Sequence, residues 1–116
     1  MQLFVALKKN RDYIRAYKRG KSVVTPCLAL YFVKNREGIN RFGITTSKKI
    51  GTAVMRNRSK RIMRAAIAKI NPELVQGYDF ILVARGKTPY LKTQDIYRDF
   101  CKIAKDHKLL AGIPQA

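Results

Sequence analysis

Cations are the side chains of this chain best placed to do chemistry, and they concentrate in one segment. Between Gly38 and Pro72 there are nine Lys or Arg residues and no Asp or Glu. Helical spacing would place Arg56, Lys60 and Arg64 along one edge of a helix. A merely solvated face normally mixes both signs, because like charges four residues apart destabilise a helix. Since arginine grips phosphate through two parallel hydrogen bonds, we expect an anion-binding face that comprises Arg56, Asn57, Arg58, Lys60, Arg61 and Arg64.

Two lysines precede this helix and extend its positive charge. Lys48 and Lys49 stand just before Gly51, where a phosphate would meet the free backbone N–H groups of the helix start. The segment lacks the spaced glycines of a Walker loop, which disfavours nucleoside triphosphate binding. Asn57 both donates and accepts hydrogen bonds, so it suits a base edge, a ribose hydroxyl or metal-bound water. A local contact within the helix explains Asn57 equally well.

Three tyrosines form a second candidate site. Tyr13 and Tyr17 are four residues apart on a predicted helix, and Tyr31 lies on one side of a predicted strand. Single-stranded nucleic acid stacks its bases on aromatic rings while neighbouring cations hold its backbone. Core packing accounts for the same pattern, and both interpretations stay open here. The cations that surround the helical pair are Arg11, Arg15, Lys18 and Arg19.

Catalysis by protein side chains is not indicated. Protein-based phosphodiester cleavage needs clustered carboxylates or a histidine base, yet the seven acids are scattered and His107 is the single histidine. Cys27 and Cys101 lie too far apart in sequence for a paired zinc motif. We therefore expect no catalytic residue and no metal-ligating side chain in the protein.

The overall charge calls for a polyanionic partner. The 116 residues carry 25 Lys or Arg against 7 Asp or Glu, a net charge of +18, where a small domain usually carries about 2–8. Nucleic acid and an anionic membrane are the two candidates. The longest apolar run, residues 27–33, is far short of the ~20 residues of a membrane helix. The first residues are apolar before they are basic, opposite to a secretion signal, so we expect a cytoplasmic protein.

The helices and strands that must position these residues are predicted from the spacing of apolar residues and from the Gly, Pro and Asn residues that interrupt it. Helices are predicted over 11–19, 52–70 and 93–109, with Asn10 as the first N-cap, and strands over 22–25, 28–34, 40–47 and 79–85. The turn at 35–38 predicts a hairpin between the second and third strands. The last strand is apolar on both sides and is expected at the sheet centre. The order α-β-β-β-α-β-α predicts one α+β domain over 1–116, a two-layer sandwich whose residues 111–116 form a flexible tail.

From Arg41 to Arg64 the chain resembles the bacterial ribonuclease P protein subunit. That family carries a motif of the form SKK-x-G-x-AV-x-RNR-x-KR-x-x-R, and every fixed position is matched here. Residues 7–13 resemble the entry to the family's first helix, and residues 78–85 resemble its fourth strand. The resemblance covers roughly residues 3–108 and implies a mixed sheet with an unusual left-handed βαβ crossover.

The resemblance also implies a function. Ribonuclease P removes the 5′ leader of precursor tRNA with a catalytic RNA that uses Mg²⁺, and its protein subunit has no active site of its own. By position, Tyr13, Tyr17 and Tyr31 would line the cleft for the single-stranded leader, although the family often has Phe at such positions. The implied partners are the RNA and the leader, with neither a membrane nor a small-molecule substrate. The residues implied to face the catalytic RNA are Lys48, Lys49, Arg56, Asn57, Arg58, Lys60, Arg61 and Arg64.

Two other functions fit parts of the sequence. A structural RNA-binding protein, such as one of a ribosome, would have the same size and charge but would need neither the tyrosine pair nor the RNR spacing. A self-sufficient nuclease would need the carboxylate or histidine cluster that the sequence lacks.

Overall fold

The computed structural model describes residues 4–112, which form eight helices and strands around one mixed sheet. The strands are β1 (Val5–Ala6), β2 (Lys21–Val24), β3 (Leu28–Lys34), β4 (Arg41–Thr45) and β5 (Tyr78–Ala84). The helices are α1 (Asn10–Arg19), α2 (Ala53–Ile70) and α3 (Thr93–Asp106). Short 3-10 turns cover Lys48–Ile50, Asn71–Glu73 and Thr88–Tyr90. The α+β class is confirmed, and β1 is an element that periodicity missed because it has only two residues.

The strand order is β1-β4-β5-β3-β2, so the predicted hairpin between the strands at 28–34 and 40–47 is wrong. β5 lies between β3 and β4, antiparallel to the first and parallel to the second. Its residues Phe80, Ile81 and Leu82 are fully buried on both faces, which an edge position could not achieve. The central position predicted for this strand is therefore confirmed. The connection from β4 through α2 to β5 joins parallel neighbours, and its left-handed course stays a prediction.

The two faces of the sheet carry different helices. Leu28, Leu30 and Phe32 of β3 point into the main core, where α2 and α3 pack with Met63, Ile67 and Phe100. The alternate residues Tyr31 and Val33 point to the opposite face, where α1 packs Ala16 against Ile81. Alternation along a strand thus separates the sheet into a fully covered face and a partly covered one.

The helix ends differ from the predictions by a residue or a few. Asn10 is inside α1 rather than its N-cap, because Asp12 and Tyr13 direct their backbone N–H groups to the carbonyl of Lys9. α1 stops at Gly20, where an added Cβ would lie 2.5 Å from the carbonyl oxygen of Ala16 and 2.7 Å from that of Phe32. Ala111, in the predicted tail, donates its N–H to the carbonyl of Glu73 at 2.8 Å, and residues 113–116 of that tail lie outside the described residues.

A buried carboxylate ties α1 to the centre of the sheet. Asp79 of β5 is fully buried and accepts two hydrogen bonds of 2.8 Å from the Arg41 guanidinium of β4. It also accepts a 2.8 Å bond from the Asn35 amide and pairs with Arg15 of α1 at 3.7 Å. Arg15 donates in addition to the carbonyl of Lys34. The hydrogen bond and charge of Asp79 raise the pKa of Arg41 above its usual value, so the guanidinium stays charged.

We expect Asp79→Asn to lower the free energy of unfolding by about 3 kcal/mol. Removing one partner of a buried ion pair costs roughly 3–5 kcal/mol, and the lower end applies because Arg41 keeps Asp12 at 3.5 Å. Urea unfolding followed by circular dichroism measures the change. The matched control is Asp106→Asn at the exposed end of α3, which should change the free energy by less than about 0.5 kcal/mol. Equal values for both variants would contradict the role given to Asp79.

Candidate nucleic-acid interface

The outer side of α2 carries the predicted cations, and we call Arg56, Asn57, Arg58, Lys60, Arg61 and Arg64 the basic face. The helix begins after Thr52, whose hydroxyl accepts the N–H of Met55 at 3.3 Å. Ser59, Met63 and Ile70 lie on the opposite side of the helix and are buried against the sheet. Asn57 and three of the arginines are exposed, whereas Arg56 and Lys60 are half-buried.

No acid relieves the charge of the basic face. In the part of the chain that the structure describes, every ion pair involves Arg15 or Arg41, and no basic-face side chain takes part in one. Arg56 instead donates to the carbonyl of Gly51 at 2.8 Å. Unpaired guanidiniums on a rigid helix are preorganised to bind phosphate.

The exposed lysines Lys48 and Lys49 stand beside the basic face, on the 3-10 turn that leads into α2. The turn ends at Gly51, whose φ of +131° with ψ of −148° favours glycine strongly. Because Arg56 bonds the carbonyl of this same glycine, one side chain of the basic face holds the turn that presents the lysines.

The three predicted tyrosines meet on the partly covered face of the sheet. The rings of Tyr17 and Tyr31 lie edge to face with centroids 4.8 Å apart, and those of Tyr13 and Tyr17 are 6.5 Å apart. We call these three residues the tyrosine surface. Tyr17 is 41% exposed, whereas Tyr13 and Tyr31 are half-buried. The cluster therefore both packs α1 on the sheet and leaves one ring open to a ligand.

Tyr13 is the anchored member of the tyrosine surface. Its hydroxyl donates to the carbonyl of Leu7 at 3.3 Å, and its ring lies directly over Gly43 of β4. Burial, with a smaller contribution from Tyr17, raises the pKa of Tyr13 above its usual value. The hydroxyl thus remains a proton donor at neutral pH.

The basic face and the tyrosine surface approach each other beside β4. Tyr13 and Arg64 line the same hollow there, together with Phe4 and Gly43. The structure thus brings the end of the basic face to the tyrosine surface, although the helices that carry them lie on opposite faces of the sheet. Lys48 and Lys49 are not among the residues that line this hollow.

Sequence reasoning missed several side chains next to these sites. Ala29 and Val33 share the sheet face with Tyr31, as the alternation of β3 predicts, whereas Val83 joins them only because β5 pairs with β3. Tyr90, which is 73% exposed beside α2, was also missed, because one tyrosine in a loop has no periodic signal. Within residues 4–112, no three His, Cys, Asp or Glu residues gather as a metal site, and no helix has the length and hydropathy to cross a bilayer.

Comparison with known proteins places this architecture in one family. The family model for ribonuclease P matches residues 1–108. The ribonuclease P protein component of Natranaerobius thermophilus is 39% identical over 110 residues, which cover 95% of this chain and 96% of that protein.

Solved structures of RNase P proteins have the same fold as this chain. A Staphylococcus aureus RNase P protein, described as a mutant with defective mRNA degradation activity, superposes with a TM-score of 0.78 at 33% identity, over 90% of this chain and 88% of its own. The RNase P protein of Thermotoga maritima superposes with a TM-score of 0.76 at 25% identity, over 87% and 96% of the two chains.

We expect Gly43→Ala to displace the Tyr13 ring and to lower the pKa of Tyr13 toward the usual value of about 10. The new Cβ would stand 2.5–2.8 Å from three atoms at the end of that ring, which must therefore move into solvent. NMR titration of protein labelled in the tyrosine rings measures the pKa. Gly86→Ala is the control, because a Cβ at Gly86 meets nothing within 4 Å. An unchanged Tyr13 pKa in Gly43→Ala would show that the ring is not held over Gly43.

Proposed function

This chain belongs to the ribonuclease P protein family, and we propose that it binds the catalytic RNA of that enzyme and the 5′ leader of precursor tRNA. The observation that carries the proposal is the basic face, an acid-free helix surface whose residues match the family motif position by position. The expected cytoplasmic location is part of the same proposal.

The basic face suits the folded catalytic RNA. Arginine forks bind phosphates bidentately, and Asn57 supplies a donor and an acceptor where arginines supply donors alone. Lys48 and Lys49 add two point charges at the helix start, which itself favours anions. Since α2 is packed on the core through Met63 and Ile67, these groups keep their spacing without the RNA.

The tyrosine surface suits the single-stranded leader. An unpaired base can stack on the exposed ring of Tyr17, and Tyr31 meets that ring edge-on and holds its orientation. The same helix carries the exposed cations Lys18 and Arg19, which supply positive charge for the backbone phosphates. The proximity of Arg64 to Tyr13 offers a reason why one small protein could bind both RNAs near one point.

The proposal assigns Mg²⁺ to the RNA. Magnesium prefers carboxylate, carbonyl, water and phosphate oxygens, and the basic face offers guanidinium and ammonium groups in their place. The described residues also include no cluster of three potential metal ligands. The cations of the basic face therefore do not fit a direct Mg²⁺ site, and their part is to neutralise phosphates beside the metals that the RNA holds.

A reconstitution assay tests the function as a whole. We expect the purified protein to leave precursor tRNA intact, and a bacterial ribonuclease P RNA at low Mg²⁺ to cleave it at least tenfold faster when the protein is added. The physical reason is that bound cations reduce the phosphate repulsion that Mg²⁺ must otherwise screen. Gel analysis of the released leader measures the rate.

Two other activities give different results in the same assay. Cleavage by the protein alone, abolished by a carboxylate substitution, would contradict the proposal. The assay should include mRNA as a second substrate, because the Staphylococcus aureus protein is described with an mRNA degradation activity. Tight RNA binding without stimulated cleavage would indicate a structural RNA-binding protein.

The leader assignment is tested by Tyr17→Ala. Loss of one stacking platform weakens binding by about 1–3 kcal/mol, so we expect precursor with a leader to bind the holoenzyme about tenfold more weakly and mature tRNA to bind as before. Tyr17→Phe keeps the ring and is the matched control. Equal losses for precursor and mature tRNA would place Tyr17 outside the leader path.

A further inference from the structure

The 3-10 turn Thr88–Tyr90 holds one aromatic ring out in solvent. Thr88 is fully buried; its hydroxyl donates to the carbonyl of Cys27 at 2.6 Å and accepts the N–H of Arg85 at 2.8 Å. Pro89 is buried as well. Because both preceding residues are fixed in the core, Tyr90 is presented outward, and it is 73% exposed. The hydrogen bonds and burial of Thr88 and Pro89 thus anchor the turn that carries this ring.

Tyr90 differs from the other five tyrosines, each of which has an intramolecular partner. Tyr97, for example, donates to Glu73 at 2.6 Å and lies under the Lys69 ammonium at 4.4 Å. Among the described residues, by contrast, no aromatic ring packs on Tyr90 and no cation stands over it. Most of the Tyr90 side chain is therefore available to a stacking partner. The partnered tyrosines are Tyr13, Tyr17, Tyr31, Tyr78 and Tyr97.

A groove connects Tyr90 to the basic face. We call it the Tyr90 groove; its walls include Arg58 and Arg61 of α2 on one side and Tyr90 and Leu91 on the other. Ile62 also lines it and contributes apolar surface. Neither arginine has an acidic partner within residues 4–112. The groove thus combines an exposed ring, apolar surface and two guanidiniums without an acidic partner among the described residues, and a single-stranded nucleotide binds to such groups.

We propose that the Tyr90 groove binds one unpaired nucleotide of the catalytic RNA, with the base stacked on Tyr90 and its phosphate held by Arg58 and Arg61. This inference rests on the proposed function, because the RNA that covers the basic face supplies the nucleotide. The leader is assigned to the tyrosine surface on the opposite face of the sheet. A second copy of the chain is disfavoured as the occupant, because two molecules of charge +18 repel each other.

A single tryptophan tests the contact directly. The chain has no Trp, so Tyr90→Trp introduces one fluorophore at the proposed stacking position. We expect ribonuclease P RNA to quench the emission of this residue by at least half and to change it little in Ile39→Trp, where the replaced side chain is 45% exposed in the β3–β4 loop. A leader oligonucleotide alone should leave the emission of the Tyr90→Trp protein unchanged.

Binding measurements separate stacking from charge. We expect Tyr90→Ala to weaken assembly with the RNA about tenfold and Tyr90→Phe to retain the affinity. The slope of log K against log salt should be unchanged in Tyr90→Ala, because no phosphate contact is lost, and should fall by about 0.7–0.9 in Arg61→Ala.

The outcomes distinguish this inference from the proposed function. Normal assembly and cleavage without quenching, or with Tyr90→Ala equal to the unaltered protein, would overturn the nucleotide site and leave the proposed function standing. Failure of the unaltered protein to bind the RNA or to stimulate cleavage would overturn both. Emission that changes with protein concentration in the absence of RNA would reassign the groove to self-association.

Discussion

The buried carboxylate of Asp79 determines the arrangement on which the rest of the molecule depends. A fully buried charge must be neutralised and hydrogen-bonded, and here Arg41, Asn35 and Arg15 do so from β4, the loop that precedes β4 and α1. These contacts require β5 to lie beside β4 and require α1 to lie across the second face of the sheet. The tyrosine surface exists because α1 is held there. One electrostatic cluster in the interior thus places the aromatic groups at the surface.

The basic face depends on a different constraint, the separation of apolar and charged sides around α2. Ser59, Met63 and Ile67 are buried in the core, so the remaining positions of the helix must face outward. Their charges repel one another, and the described part of the chain offers them no acid. An anion bound to the basic face would remove this repulsion, so the proposed RNA ligand would also stabilise the fold.

Local patterns predicted the three helices, four of the five strands and the two groups of candidate residues, whereas they could not predict the strand order. Some features can be predicted from residues only a few positions apart in the chain. They are the alternation of β3, the two-sided apolar character of β5 and the cation spacing of α2. The position of β5 between β3 and β4 depends on a contact between Asp79 and Arg41, which are 38 residues apart. The turn residues after Lys34 predicted a hairpin between β3 and β4. Such residues indicate only that the chain changes direction, and they do not determine which strands pair afterwards. The exposure of Tyr90 could not be predicted either, because it depends on the burial of Thr88 and Pro89 and on the long-range contact of Thr88 with Cys27.

The insertion of β5 between β3 and β4 also determines how late in synthesis the sheet can be completed. As the chain leaves the ribosome, β3 and β4 have no contact with each other, and only the β2–β3 hairpin and the two-residue β1–β4 pair could form. The strand that joins these halves is Tyr78–Ala84, which is synthesised after the whole of α2. The nascent chain therefore displays its most positive helix before the sheet that supports this helix is complete. A message cut short after Ile70 would yield a polycation without a fold.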